Sequence, residues 1–574
     1  MDVMLDRGWW TRMEINTSIR RLMYAFVALF LLLSLVMVNV QVFQAQALQA
    51  STYNGRKCLA SNEPLRGSIY DRNGIKLVWS VADPSSPCGY RRQWNPDAVN
   101  AGLAPLIGYF SYRYGPSGIE RVYDDILSGV GQGSTLQTVT NQLLHQQVHG
   151  SDLYLTIDLK LQEQVSALYN QDAETGGPCQ APGSNPAGSI TVENPQTGEV
   201  LAMYSNPSWD PNRINDDTYW NQIRNDPSSP QLNRAAQGLY DPGSTFKTVT
   251  LTAGLDSGKY QLTTPFTLDQ DQDQNQDQVG GDGDGDADQD TALYYLVPGS
   301  TGGERVTWVD YFPSPGSNGW VGIPTPNGAI SVQDGFAYSD NVIFANMAVG
   351  MGSDTWLSYV RKFGIATPGT DVTAVPFDST QSQSRAFTPG AQLTNNLLAE
   401  SGFGQGQLLI SPLTMAEVTS AAAANGNLYA PHVLAKVVTP DGAATTTGSA
   451  LFSGQPVMQA ATAASIRAAM RAVVQYGTAA AGQSVQLSAS PAMEGGKTGT
   501  GEGGAGTNPQ TWWISMAPAS SDVNTLGQLV VVVMKEHSGE GACQIFVGDD
   551  VYKCAAADHD WMPPADLGPC PAKP

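Results

Sequence analysis

Three short polar strings, far apart but in a fixed order, constrain this chain more than any other feature. Ser244-Thr-Phe-Lys247 lies inside Tyr-Asp-Pro-Gly-Ser-Thr-Phe-Lys, Ser339-Asp-Asn341 follows 95 residues later, and Lys497-Thr-Gly-Thr500 comes 158 residues after that. Each string alone has an ordinary structural explanation: a helix start with a surface lysine, a helix N-cap, and an edge strand with a lysine. Together they supply a nucleophile, a base, a proton relay and an oxyanion and carboxylate site. That is the equipment for acyl transfer through a serine ester.

The local sequence makes the roles specific. Pro242-Gly243 forces an irregular entry, and the run from Ser244 to Leu255 can then form a helix. Ser244 sits at its N-terminus, where free N–H groups and the dipole favour developing negative charge. Lys247, three residues on, shares its face, and a lysine desolvated beside a hydroxyl can lose its proton and act as a base. Ser339 and Asn341 share one side of a turn between apolar runs; the hydroxyl can relay a proton and the amide can hold a backbone carbonyl. Gly499 lets a substrate lie close to the strand, Thr498 and Thr500 offer hydroxyls, and Lys497 offers charge to a carboxylate. No histidine lies near the Ser244 or Lys497 strings, so a histidine-based triad is not expected.

At 574 residues the chain is long enough for two or three domains. Its formal charge of −22 argues against nucleic acid, because no basic stripe could release counterions. Leu22–Phe43 is uncharged and long enough to cross a bilayer. Arg20 and Arg21 precede it, so the expectation is a cytoplasmic tail over 1–21, a single-pass anchor over 22–43 and an extracytoplasmic remainder. A cleaved signal peptide is the rival, with Ala45-Gln-Ala47 as a site, but the apolar run exceeds a signal core.

Six cysteines, Cys58, Cys88, Cys179, Cys543, Cys554 and Cys570, follow that segment and permit disulfides. Cys543 and Cys554 are the favoured pair because they flank a short loop; links tying Cys570 to the body are among the alternatives. No Cys-x-x-Cys spacing supports zinc. His145 and His149 are spaced i,i+4 without the glutamate of a metalloprotease and read as solvated helix residues. Nine aspartates between Asp269 and Asp290 mark a mobile acidic loop that lacks the terminal glutamate of an EF-hand. No metal or cofactor is expected.

Asn73-Gly74 between apolar flanks predicts a hairpin. Residues 151–162 predict a strand passing into a helix, and residues 188–206 predict two strands about a Pro-x-Thr-Gly turn. Residues 458–476 have helical spacing, with Gly477 as the stop. The runs 511–517 and 528–535 predict adjacent central strands of an antiparallel sheet. Strands at both ends with helices between them predict a layered α/β (α+β) domain over 186–539 with a large helical insertion. An N-terminal non-catalytic region spans 44–185, and a Cys- and Pro-rich tail over 540–574 is expected on the surface.

With these strings in place the chain resembles a class B penicillin-binding protein of the actinobacterial type, over nearly its whole length. Arg66-Gly-Ser-Ile-Tyr-Asp-Arg-Asn-Gly74, Gly118-Ile-Glu-Arg-Val-Tyr-Asp124, Leu155-Thr-Ile-Asp158, Gly404-Gln-Gly406 and Ser411-Pro412-Leu413 are similar to family strings. The acidic tract and the tail after Glu540 have no counterpart in the common pattern. The resemblance implies a serine acyltransferase fold on an elongated β-rich pedestal, and a peptidoglycan D,D-transpeptidase that β-lactams acylate. It implies Ser244 as nucleophile, Lys247 as base, Ser339 and Asn341 as proton shuttle and donor-peptide holder, and Lys497, Thr498 and Thr500 around the terminal carboxylate. The Ser244 and Thr500 N–H groups form the implied oxyanion hole. The implied partners are stem peptides ending in D-Ala-D-Ala, β-lactams, the membrane and a polytopic glycosyltransferase of the SEDS family. The alternatives are a D,D-carboxypeptidase or serine β-lactamase on the same scaffold, and a non-enzymatic β-lactam sensor or divisome scaffold.

Overall fold

The run Leu-Val-Val-Val-Val-Met-Lys at 529–535 is buried at every position, as a strand covered on both faces must be. It is the centre of a five-stranded antiparallel sheet. From one edge to the other the order is Gly495–Gly501, Gln510–Ala517, Leu529–Lys535, Gly188–Asn194 and Glu199–Asn206. Strands from the two ends of the region therefore meet side by side, with helices between them in sequence. The computed structural model describes residues 7–39, 65–129, 149–175, 186–267, 294–296, 305–307, 311–313, 320–322, 329–369, 375, 377–388, 390–391, 393–446, 454–480, 493–501, 508–538, 544–559, 561 and 567–572.

Strand register assigns the two faces. Trp513 and Ser515 turn toward the C-terminal helix Gln544–Asp558: Ser515 Oγ lies 3.0 Å from Tyr552 Oη, and a Cβ on Gly548 would come within 2.5 Å of the Trp513 ring. Trp512 and Ile514 face the inserted helices instead, as do Ser189, Thr191 and Glu193 on the Gly188–Asn194 strand. Those inserted helices include Lys247–Asp256, Asn341–Met351, Pro412–Ala423 and Ala460–Gln475. Phe246, Phe336, Phe344, Trp356, Met470 and the sheet valines form one continuous core.

A second sheet has the order Ala444–Thr446, Leu434–Val438, Asp152–Leu155, Ile69–Tyr70, Lys76–Ala82, Tyr90–Trp94. Two of its strands lie far beyond residue 186 in the chain, so the N-terminal and catalytic segments share it. The hairpin at Asn73-Gly74 forms, with Gly74 at φ +85°. Not all of its charges are on a solvated edge. Asp71 is fully buried and Oδ1 accepts from Asn73 N and Ile75 N at 2.9 and 2.7 Å. Arg66 is buried and reaches Glu120 and Asp124 at 2.6 Å each, while Arg92 reaches Glu120 at 2.7 Å. Two of the N-terminal strings thus meet in one buried ion network.

Several sequence expectations shift. The apolar helix is Arg7–Val38, and its membrane-length stretch among the described residues is Ile19–Val38, so the span begins three residues before Leu22, while residues 40–43 of the expected 22–43 lie outside the described residues. The tail after Glu540 is not only a surface segment: Gln544–Asp558 is a helix whose Ile545, Val551, Tyr552 and Ala555 enter the main core. Cys554 pairs with Cys570, not Cys543. Ten residues of helical rise separate Gln544 from Cys554 by about 15 Å, well beyond disulfide reach. His149 is exposed and bridges to Leu65 as a strand residue, not a helical one. His145, Cys58, Cys179, Cys543 and the acidic tract 269–290 lie outside the described residues.

Candidate active site

The nucleophile string folds as a 3-10 turn, Gly243–Phe246, that runs directly into the helix Lys247–Asp256. Gly243 has φ +51°, a conformation that L side chains rarely adopt. Ser244 is half-buried in this turn, and Lys247 begins the helix with no exposed surface. The Ser-Asp-Asn string follows the helix Val332–Ala337. Asp340 is the N-cap of the next helix and accepts from Ile343 N at 2.9 Å, so the ordinary N-cap role belongs to it. That leaves Ser339 and Asn341 free for the cleft. Ser339 takes φ +64°, a strained value for a residue with a Cβ, and it points its hydroxyl between two lysines.

Lys247 Nζ is 3.0 Å from Ser244 Oγ, 2.7 Å from Asn341 Oδ1 and 3.2 Å from Ser339 Oγ, and it donates to the Ser339 carbonyl. Lys497 Nζ is 2.8 Å from the same Ser339 Oγ and 3.1 Å from Thr498 O. The structure therefore brings all three strings together around Ser339. Burial pushes the Lys247 ammonium down to about 7, and Asp340 partly opposes that shift. Burial also pushes Lys497 well below the usual lysine range, and the nearby charge of Lys247 adds to it. The rings of Phe344 and Phe336 lie 5.8 and 5.7 Å from the two ammonium groups.

Lys497, Thr498, Gly499 and Thr500 lie on the edge strand Gly495–Gly501. The sequence reading assigned the space above Gly499 to a substrate. In the structure that space belongs to the nucleophile turn: a Cβ there would sit 2.7 Å from Thr245 Cγ2 and 2.8 Å from Pro242 O. Thr498 is nearly buried, with its hydroxyl 3.0 Å from that of Thr478, while Thr500 is exposed.

Three contributors escaped the sequence reading. Thr478 sits just past the Gly477 stop, and its N–H donates to Ala337 O at 3.0 Å. Gln405 donates to Thr500 O at 3.3 Å, and the Gly404 beside it lets the Gly243 carbonyl approach, since a Cβ would lie 1.7 Å from that oxygen. Trp512 donates from Nε1 to Asp241 O at 2.9 Å. Only the Gly404-Gln-Gly406 string carried a visible signal. Among the described residues no cluster of three or more metal-ligating side chains occurs.

Comparison with known proteins identifies the domains that hold this site. Residues 188–293 and 312–546 match the penicillin-binding protein transpeptidase domain, and residues 66–153 match the penicillin-binding protein A dimerisation domain. Peptidoglycan D,D-transpeptidase PbpA of Mycolicibacterium smegmatis is 30% identical over 541 residues, 92% of this chain and 94% of that protein. PbpA of Mycobacterium tuberculosis is 27% identical over 90% of this chain and 94% of its own. Among solved structures, the imipenem acyl-enzyme complex of M. tuberculosis penicillin-binding protein A is similar in fold. Its TM-score is 0.66 at 24% identity, over 86% of this chain and 99% of that one. The lysine-bracketed serine thus lies within a matched domain, and the match to the M. smegmatis protein extends over most of both chains: this chain belongs to the penicillin-binding protein transpeptidase family.

Proposed function

We propose that the chain is a membrane-anchored peptidoglycan D,D-transpeptidase acting through a Ser244 ester, and that β-lactams acylate the same serine. The observation that carries the assignment of roles is the set of neighbours around Lys247. A neutral amine has two N–H donors and one lone pair. The Ser339 carbonyl and Asn341 Oδ1 can only accept, so they take the two N–H groups. The lone pair is left for the Ser244 hydroxyl at 3.0 Å. Depression of Lys247 to about 7 makes that neutral form available near neutrality.

Ser244 Oγ attacks the carbonyl of the penultimate residue of a donor stem peptide while its proton passes to Lys247. The oxyanion is held by the Ser244 and Thr500 N–H groups, and each such donor contributes roughly 3–4 kcal/mol. Ser339, in reach of both lysines, returns a proton to the departing terminal D-alanine. The terminal carboxylate lies against Lys497, Thr498 and Thr500, and Asn341 holds the donor backbone. An acceptor amine then attacks the ester, releasing the cross-linked peptide and restoring Ser244.

The apolar stretch Ile19–Val38 supports a single-pass anchor. Arg20 and Arg21 at its start favour a cytoplasmic N-terminus and an extracytoplasmic catalytic domain. A polytopic glycosyltransferase of the SEDS family is the proposed supplier of glycan strands. The N-terminal region 44–185, the catalytic region 186–539 and the tail from 540 remain the proposed functional divisions, although the second sheet joins the first two.

Ser244→Ala should abolish labelling by a fluorescent penicillin while leaving the thermal transition in place. Mass spectrometry of the wild type with a donor ester and an amine acceptor should find the transferred amide. Labelling that survives the substitution moves the nucleophile elsewhere, and release of free acid alone makes the chain a carboxypeptidase.

A further inference from the structure

We propose that Trp512 is a positioning residue for acyl transfer: its indole N–H, bonded to the Asp241 carbonyl, fixes the nucleophile turn on the edge strand and so sets the spacing of the two oxyanion-hole donors. This rests on the acyl-transfer reading of Ser244. The turn has no side-chain cushion beneath it. A Cβ on Gly501 would lie 2.2 Å from Asp241 O, one on Gly499 2.8 Å from Pro242 O, and one on Gly243 2.3 Å from Thr500 O. Apart from the Thr245 methyl, 2.7 Å from a Cβ on Gly499, backbone rests on backbone, so a small slide of residues 241–244 moves the Ser244 N–H directly against the Thr500 N–H.

Trp512 is placed to stop that slide. It lies opposite Gly499 in the strand pairing, on the same face of the sheet, and the missing side chain at 499 keeps the space between indole and turn open. Its ring is fully buried, and Nε1 reaches Asp241 O at 2.9 Å. The same ring meets Tyr240 edge-on, with centroids 6.2 Å apart at 73°. Tyr240 is itself held by exchanged backbone bonds with Ile410 at 3.0 and 2.8 Å, and its hydroxyl donates to Glu536 at 2.8 Å. Arg234 shares that carboxylate at 2.8 Å. The chain entering the turn is thus fixed up to Tyr240, and Trp512 extends the fixation one residue nearer to Ser244.

The adjacent Trp513 is an internal control. It is equally buried but faces the C-terminal helix, and its Nε1 has no hydrogen-bond partner among the described residues. Its packing contribution is comparable and its link to the turn is absent. The test uses the full-length protein in detergent, with benzylpenicillin as probe and stopped-flow separation of noncovalent Kd from the acylation rate. The variants are Trp512→Phe, Trp513→Phe, and 3-benzothienylalanine at 512, which keeps the ring and replaces N–H with sulfur. Misplacement of a reacting group by about 1 Å can cost about 100-fold, so the two changes at 512 should slow acylation about 10- to 100-fold with Kd little changed. Deacylation should slow in parallel, because both steps use the same oxyanion donors. Trp513→Phe should lower the melting temperature and spare both rates.

If Trp512→Phe does not fold, the benzothienyl variant decides. Normal acylation in that variant, a loss confined to Kd, or an equal rate loss in Trp513→Phe overturns the proposal. Acylation that persists in Ser244→Ala overturns instead the reading on which it rests.

Discussion

Lys247 and Lys497 meet at the edge of the catalytic sheet, and Glu193 and Glu417 meet over its interior, on the same face and three strands away from Lys497. Both are pairs of like charge removed from water, and burial drives both toward neutrality: the lysines downward, the acids upward. Burial pushes Glu193 up to about 8, against slight help for its anion from the Ser420 hydroxyl, and pushes Glu417 well above the usual range with Glu193 adding to it. What differs is the surroundings. Lys247 is ringed by Ser244, Ser339 and Asn341: the Ser339 carbonyl and Asn341 Oδ1 take its N–H groups and leave a lone pair aimed at the Ser244 hydroxyl. Neither Glu193 oxygen makes a well-formed hydrogen bond among the described residues, and the hydroxyls of Ser189 and Thr191 on the same strand face are also unpartnered there. A neutralised charge becomes a reagent where its neighbours orient it, and only a stability liability where they do not.

The comparison breaks most sharply at Lys247. Lys247→Ala should slow acylation about 100- to 10,000-fold, the range of a positioned general base, with noncovalent binding largely retained. In the wild type the acylation rate should rise with pH through an apparent midpoint near 7, because the base is the unprotonated amine. Normal acylation in Lys247→Ala would pass the role to Lys497 acting through Ser339. A rate independent of pH from 5 to 9 would remove a titrating amine from the step altogether.

The stability of the two pairs should run in opposite directions with pH. The unfolded chain protonates its glutamates only below about 4.5, while the fold keeps Glu193 protonated up to about 8. Between those values the folded state holds the extra proton, so the pair's contribution is full below about 4.5 and is lost as pH rises to about 8. The loss is about 1.4 kcal/mol per pH unit for one such group. Lys247 acts in reverse: above about 7 it is neutral in the fold and charged in the unfolded chain up to about 10.5, so its share of stability grows across that window. Glu193→Gln should therefore match the wild type in urea titrations near pH 5 and exceed it near pH 8. Parallel wild-type and variant curves at both pH values would show that Glu193 ionises freely in the fold.

The two pairs were also unequally legible. Ser244, Lys247, Ser339, Asn341 and Lys497 announced themselves because each lies in a string whose residue types name a chemistry, and the order of the strings supplied the rest. Glu193 and Glu417 are single acids in Ile-Thr-Val-Glu-Asn and Thr-Met-Ala-Glu-Val, where a charge reads as a solvated position. Only strand register and the packing of Pro412–Ala423 bury them. Trp512-Trp513 was readable as a strand, but the opposite duties of the two rings follow from pairing with Gly499 and Thr498. The C-terminal helix was missed because the prolines and cysteines of the segment after Glu540 resembled a surface tail, although the prolines all follow the helix, and Tyr552 and Cys554 complete the core behind Trp513. Sequence shows chemistry concentrated in strings; it hides burial that depends on elements hundreds of residues apart.

The finest distinction lies at the carboxylate end of the lysine centre, where Thr498 and Thr478 share a hydrogen bond at 3.0 Å. Each hydroxyl has one proton. If Thr478 donates to Thr498, the Thr498 proton is free for a substrate carboxylate, and Thr478 acts only by orienting it. Thr498→Val should then weaken acylation by an anionic β-lactam through loss of a bond to a charged group, roughly 1.5–3 kcal/mol or about 10- to 150-fold. It should matter much less for an analogue whose carboxylate is esterified. Thr478→Val removes a bond between neutral hydroxyls, roughly 0.5–1.5 kcal/mol or about 2- to 12-fold, and should fall in the same acid-selective pattern. Equal losses for acid and ester in Thr498→Val would take that hydroxyl out of the carboxylate site. A larger loss in Thr478→Val than in Thr498→Val would reverse the donor order, making Thr478 the group that meets the anion.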